Sequence, residues 1–199
     1  MRKKEKIILA SGSKSRQKLL KSLGYHFTVV VSNFDEKKIN EVNPSVRAAK
    51  IAFGKGEAVA KNHQGIIIAG DTFTVCREEV LEKPKNINQA KEMLKKLSGS
   101  RAVGYTGFYF FDRKNKIKVS KTAITKVTFR KIYEEEIEKY VKVFPVTTWA
   151  AAYAASELYV LGLVKNLCGS LSGWAYGLPT EFLIPLLEEA GYKPKPANT

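Results

Sequence analysis

Apolar positions along the chain follow two rhythms, and each rhythm predicts an element. Ile7-Ile8-Leu9-Ala10 is a short continuous apolar run, as in a buried strand, and an amphipathic pattern follows it to Tyr25. Phe27–Val31 reads as a second strand. Asn43-Pro44 pairs an N-cap residue with proline in the first turn, which predicts a helix running to about Asn62. GIIIAGDTFTV is a continuous apolar strand interrupted at Gly70-Asp71-Thr72. Ala90, Met93, Leu94 and Leu97 keep helical spacing, and Ser98-Gly99 ends that helix. GYTGFYFF and IKVSKTAITKVTF are two long strands, joined into a hairpin by DRKNK. Glu134 to Val143 is a helix whose acidic first turn suits its dipole. A last helix starts near Pro179 and stops at Gly191, and TTWAAAYAAS reads as a neutral helix or wall.

Long antiparallel strands interspersed with helices place the chain in the α/β or α+β class, with a mixed sheet and helices packed on it. The long hairpin offers a second lobe, with a cleft between the lobes. With 199 residues, no repeats and no low-complexity linker, residues 1–199 form one domain on this reading.

Composition narrows the setting. The longest apolar runs, such as VFPV and YVLGLV, are far too short to span a membrane. The opening MRKKEK is basic, but IILA behind it is too short for a signal-peptide core, so the expected location is cytoplasmic. Cys76, Cys168, His26 and His63 lie at no metal-ligand spacing, which argues against structural zinc. One disulfide is open to the two cysteines, although separate thiols suit a cytoplasmic chain better. A net charge of +15 favours polyanions, whether nucleic acid, nucleotides or an anionic membrane surface. A lysine-rich solvated surface explains the same number.

The chemistry concentrates in a few places. A strand that hands over to a helix exposes backbone N–H groups that the helix cannot satisfy, and with the dipole these attract an anion. Here the handover runs through Ser11, Gly12, Ser13, Lys14, Ser15 and Arg16. The serines offer hydroxyl donors and Gly12 allows close approach. A cation in the first turn, as at Arg16, is unfavourable unless an anion faces it. The plainer alternative is a serine N-cap beside a solvated arginine. Asp71, following IIIAG, predicts a carboxylate at a strand end near a buried layer, where it needs a cation, a metal or donors; a turn aspartate capping local N–H groups is the alternative. Asp35-Glu36 is either a second acidic pair or an exposed loop. Lys55 and Lys83, taken singly, read as surface groups.

Several motifs in order carry a family resemblance. LASGSKSRQKLL resembles the L-A-S-x-S-P-R-R-x-E-L-L opening of the Maf proteins, nucleoside triphosphate pyrophosphatases related in fold to the inosine triphosphatase family. Phe34-Asp35-Glu36 resembles that family's acidic loop, FGKGEAVA its K-A-x-A-V-A helix and AGDTFTV its G-A-D-T-V-V strand. EKPKNINQAKEMLKKLSG follows G-K-P-x(4)-A-x-x-M-L-x-x-L-S-G, and YTG, VTFRKIYEEEIEKYV and GSLSGWAYGLP keep the family's order. The resemblance covers nearly the whole chain. It implies an α/β fold with a mixed twisted sheet, flanking helices and a cleft between two lobes.

It also implies hydrolysis of a nucleoside triphosphate to its monophosphate and pyrophosphate, with a divalent cation, magnesium or manganese, as cofactor. By resemblance Asp71 is the catalytic base and Glu36 joins it in holding the metal. Lys83 joins them in the catalytic set, Ser11, Ser13, Arg16 and Lys55 bind the triphosphate, and Thr72 and Arg16 match positions of the branch acting on dTTP and UTP. Ser156 stands beside the base, where that branch has a glutamine. A homodimer is likewise an expectation by resemblance.

Departures cluster near the same pocket. The proline-arginine after the second serine is Lys14-Ser15, and the histidine after L-S-G-x-x is Ala102. D-K-A-G-A-Y becomes Thr148-Trp149-Ala150-Ala151-Ala152-Tyr153. The readings that follow are a pyrimidine-preferring pyrophosphatase of relaxed selectivity or, alternatively, a catalytically weakened nucleotide- or nucleic-acid-binding protein on the same scaffold. An interaction protein is a third class. Nucleic-acid binding, in the first reading, is weak and non-specific, because no reader motif is present.

Overall fold

The computed structural model describes residues 5–195, so the first four residues of the basic MRKKEK opening lie outside it. In chain order the elements are β1 (Ile7–Leu9), α1 (Lys14–Ser22), β2 (Phe27–Val29), a 3-10 turn (Glu36–Lys38), α2 (Pro44–Ala60), β3 (Ile66–Cys76) and β4 (Glu79–Leu81). Then come α3 (Ile87–Leu97), β5 (Arg101–Asp112), β6 (Ile117–Phe129), α4 (Glu134–Val143) and two 3-10 turns (Val146–Thr148 and Ala150–Ala152). The chain closes with α5 (Leu158–Leu161), β7 (Val164–Gly169), α6 (Leu171–Tyr176) and α7 (Thr180–Glu189).

Seven strands form one mixed sheet in the order β2-β1-β3-β5-β6-β7, with β4 on the edge of β3. β1 runs parallel to both neighbours, and the remaining pairs are antiparallel. The fold is therefore α/β with an open sheet and flanking helices. Asn43 caps α2 by accepting from Ser45 N and Val46 N, with Pro44 in the first turn, as its sequence predicts.

The hairpin β5–β6 is shared by two halves of the core rather than forming a lobe of its own. Phe108 and Phe110 pack with Ile66, Ile68, Leu20 and the α7 residues Leu183 and Leu187. Ala102, Val127 and Phe129, at the other end, pack with α3, α4 and the turns around Ala151. On the opposite face of the first half, α2 lies very close to the sheet. A Cβ on Gly107 would collide with the Ala48 carbonyl, and one on Gly56 would enter the Tyr109 ring. This close approach brings α2 within reach of β3.

β3 differs from its expectation in one informative way. It is unbroken through Gly70-Asp71-Thr72, with Asp71 opposite Gly107 and Thr72 opposite Thr106 on β5. Asp71 thus sits in mid-strand, not at a strand end. What ends there is the neighbour: β1 pairs only as far as Ile68, and β4 begins at Thr74. From Gly70 to Phe73 one edge of β3 carries β5 and the other carries no strand. The TTWAAAYAAS segment is a wall of 3-10 turns rather than a regular helix, with Ala151 and Ala152 both at positive φ. Cys76 is buried, Cys168 is exposed, and both are free thiols. Among the described residues no helix is long and apolar enough to cross a membrane.

Candidate active site

The open stretch of β3 gathers most of the residues singled out by the sequence. Successive strand side chains point to opposite faces, so Asp71 and Thr72 serve different neighbours. Asp71 faces α2, where its Oδ1 accepts from Lys55 Nζ at 2.8 Å. The same ammonium pairs with Glu36 Oε1 at 2.8 Å. One cation therefore joins two carboxylates from separate elements, the mid-strand Asp71 and the 3-10 turn that follows Asp35. Asp35 itself points away, capping that turn through Lys37 N.

Thr72 faces the other way, towards Arg16. Ser13 caps α1 and accepts from Arg16 N, and α1 carries no acid in its first turn. The Arg16 side chain turns back into the protein and is buried. Its Nε donates to the Gly177 carbonyl at 2.9 Å, Nη1 to Ser11 Oγ at 2.8 Å and Nη2 to Thr72 Oγ1 at 3.3 Å. Gly177 accepts this contact from a left-handed turn at φ 72°, where a Cβ would also press on the guanidinium. Burial lowers the Arg16 pKa from its usual value, and the charges of Asp71 and Glu36 oppose that shift. A buried guanidinium with no direct carboxylate partner among the described residues calls for a further anion. Behind it, Thr72 Oγ1 meets Thr106 Oγ1 at 3.5 Å, and Thr106 donates to the Gly173 carbonyl at 2.9 Å.

Arg16 is therefore not the solvated arginine of the plainer reading, and Asp71 is not a turn cap. Two of the sequence candidates make no hydrogen bond or ion pair to these groups among the described residues. Lys83 is exposed in the loop before α3, and its side chain makes no ion pair or hydrogen bond among the described residues. Ser156 lies half-buried in a turn beyond the alanine wall, with no side-chain partner among the described residues. Sequence reasoning missed Thr106 and the Gly177 carbonyl. Both fall inside motifs that it quoted, YTG and GSLSGWAYGLP, but a backbone acceptor leaves no trace in a motif. A cavity of about 690 Å³ between β4 and α3, lined by Arg77, Glu79, Leu81, Gln89 and Lys96 among others, contains none of these residues.

The family model described as "Maf-like protein" matches residues 6–190. The chain belongs to the Maf family. This Maf chain is 38% identical over 190 residues to a dTTP/UTP pyrophosphatase of Geobacter sp. (strain M21), covering 95% of this chain and 97% of the relative. It is 32% identical over 188 residues to a dTTP/UTP pyrophosphatase of Syntrophus aciditrophicus (strain SB), covering 94% and 91%. A dTTP/UTP pyrophosphatase of Clostridium botulinum (strain Eklund 17B / Type B) is 33% identical, with 93% and 99% covered. The resemblance seen in the motifs thus extends along the chain. Maf proteins are nucleotide pyrophosphatases, and this chain is a hydrolase of that family.

Among the described residues no three histidine, cysteine or acidic side chains cluster as metal ligands. Two carboxylates that converge on one ammonium fit a magnesium ion that keeps several waters and arrives with substrate phosphates, as that ion commonly does. Glu36 and Asp71 are the residues that would hold it, and it would supply charge neutralisation at the phosphoryl oxygens.

Proposed function

We propose that this protein hydrolyses pyrimidine nucleoside triphosphates, dTTP and UTP foremost, to the monophosphate and pyrophosphate in the presence of magnesium or manganese. The observation that carries the reading is Lys55 joined to both Asp71 and Glu36 on one face of the open β3 edge, with the buried Arg16 clamp on the other. A triphosphate laid along that edge meets cations from both faces. On this reading Asp71 orients and deprotonates the attacking water. The N-terminus of α1, Ser11, Ser13 and Arg16 offset charge on the phosphoryl oxygens, and Lys55 offsets charge on the carboxylate side. The named activity of the curated relatives supports the pyrimidine preference. Relaxed selectivity rests on the resemblance alone, since a serine at position 156, in place of that branch's glutamine, cannot span two atoms of a base edge as an amide does.

The protein acts in the cytoplasm on this reading, and a homodimer remains the expectation from resemblance. Pyrophosphate release from dTTP, UTP, CTP and GTP with magnesium is the test. A pyrimidine triphosphate should be hydrolysed fastest, with the other bases within about tenfold, or roughly 1.4 kcal/mol. Asp71→Asn should lower kcat by on the order of 10²-fold or more. A wild type that binds nucleotides and releases no pyrophosphate would instead favour the binding-protein reading.

A further inference from the structure

The segment that carries Glu36 has little holding it in place. From Val31 to Val42 the backbone hydrogen bonds are local. Phe34 N donates to Ser32 Oγ, Lys37 N to Asp35 Oδ1, Lys38 N to the Asp35 carbonyl and Ile39 N to the Glu36 carbonyl. Among the described residues no strand pairs with it, and its ion pairs to the rest of the fold are Glu36 with Lys55 and Glu41 with Lys50. The Glu36 side chain is 51% exposed and the Lys50 side chain 54% exposed. Each pair has one half-exposed member and one more buried member, Lys55 at 15% and Glu41 at 22%, so these two contacts alone fix the loop only modestly.

One apolar side chain does more. Of the apolar residues flanking Glu36, Phe34 and Ile39 are part-buried, and Phe34 is the one nearer along the chain. Its ring lies against α2 at Gly54, where a Cβ would fall within the ring. Gly54 is one residue before Lys55 and four after Lys50, so both ion pairs and the ring share one stretch of α2. Phe34, Ile39, Val46, Phe53 and Gly54 line a single cavity of about 360 Å³ between loop and helix. A glycine inside a 17-residue helix costs about 1 kcal/mol relative to alanine, and nothing in the conformation of α2 calls for it. The notch for Phe34 does.

We infer that Phe34, seated in the notch left by Gly54, is the positioning residue that holds Glu36 over the Lys55–Asp71 pair. This rests on the function proposed above, and it assigns a role to two residues that bear no catalytic group. Losing the ring, or filling the notch, lets the acidic turn swing away from α2 and removes one of the two carboxylates from the site.

Three variants test it: Phe34→Ala, Gly54→Ala and the conservative Phe34→Leu. The binding readout is bound Mn²⁺ by electron paramagnetic resonance in the presence of α,β-imido-UTP, which requires no turnover. Phe34→Ala and Gly54→Ala should weaken Mn²⁺ binding about tenfold, approaching the loss in Glu36→Gln, while Phe34→Leu stays within about twofold of wild type. The double variant Phe34→Ala/Gly54→Ala should lose no more than either single change, because both remove one contact. Thermal melting separates this from general damage, since Gly54→Ala should melt no lower than wild type. Tryptic cleavage after Lys37 and Lys38, in the same turn, should accelerate at least tenfold in both alanine variants. Mn²⁺ binding that is unchanged in Phe34→Ala and Gly54→Ala overturns the inference, as does additive loss in the double variant. Absence of pyrophosphate release from the wild type would overturn the proposed activity alone, because the binding measurement still reads the role of Phe34.

Discussion

Arg16 commits one hydrogen bond from each of its three guanidinium nitrogens to the protein, at Gly177, Ser11 and Thr72. Two N–H groups are left over from its five. The planar fork makes this geometry, and a lysine ammonium cannot reproduce it. Arg16→Lys should therefore lower both stability and turnover. Hydrogen bonds to charged groups contribute about 1.5–3 kcal/mol each, so a net loss of about 2–4 kcal/mol in urea unfolding is expected, with kcat/KM down by on the order of 10²-fold. A variant that keeps wild-type stability would show that the clamp contributes nothing to the fold. The residue scale also shows how far the sequence could be read. Ser11, Ser13, Arg16, Glu36, Lys55, Asp71 and Thr72 meet at one edge because their motifs fix both their elements and their faces. Lys83 and Ser156 were placed by the same resemblance, yet they lie in loops, where spacing does not determine direction.

Among the elements, the long ones and the short apolar strands β1 and β2 were legible, and the remaining short ones were not. α2, α3, α4 and the β5–β6 hairpin follow their periodicity and caps. β4 was missed because its two-residue turn, Arg77-Glu78, has both residues at positive φ without the asparagine or glycine that usually announces such a hairpin. Glu78→Gly should relieve this. A non-glycine residue at φ 66° costs about 1–2 kcal/mol, of which chain entropy returns about 0.4–1 kcal/mol. A gain of about 0.5–1 kcal/mol, read as a melting temperature higher by about 1–4 °C, is the expected outcome. β7 was missed because it is an edge strand with mostly exposed, polar positions. β3 appeared broken because Gly70-Asp71-Thr72 looks like a turn, while its partner β5, far along the chain, keeps it extended.

The start of α4 supplies a pH test at the same scale. Glu136 accepts from Tyr133 N at 3.1 Å and from the fork of Arg130 at 2.6 and 2.9 Å. The Arg130 side chain, followed by the backbone N–H, holds the Glu136 carboxyl down to about 2. An unfolded glutamate titrates near about 4.3. The folded value is the lower one, so the stabilisation is fully present above about pH 4.3 and is lost as pH falls towards about 2. Glu136→Gln should thus be less stable than wild type at pH 7, and the two should converge over that window in denaturant titrations. A constant gap across it would show that Glu136 acts by packing rather than charge.

Taken whole, the molecule has three buried clusters, and each of them draws on β3 and β5. Strands that pass through all three leave no hinge between them, so thermal unfolding should show one cooperative transition. The charge of +15 is a property of the whole surface as well. It should give weak nucleic-acid binding without sequence preference, fading steeply between about 50 and 200 mM salt. Retention on a DNA column at high salt, with preference for one sequence, would mean a reader site that no element of this fold supplies.

The Arg16 clamp also has a consequence in time. Its bond to Gly177 spans 161 residues, and Lys195 N donates to the Leu23 carbonyl at 2.9 Å just beyond α1. The turn that carries Arg16 is translated 161 residues before Gly177. A nascent chain therefore carries an unfinished clamp until Gly177 has emerged, when a contact of such long sequence separation can first close. A message cut short before Gly177 yields a chain with its serines and arginine in place but no carbonyl to lock them.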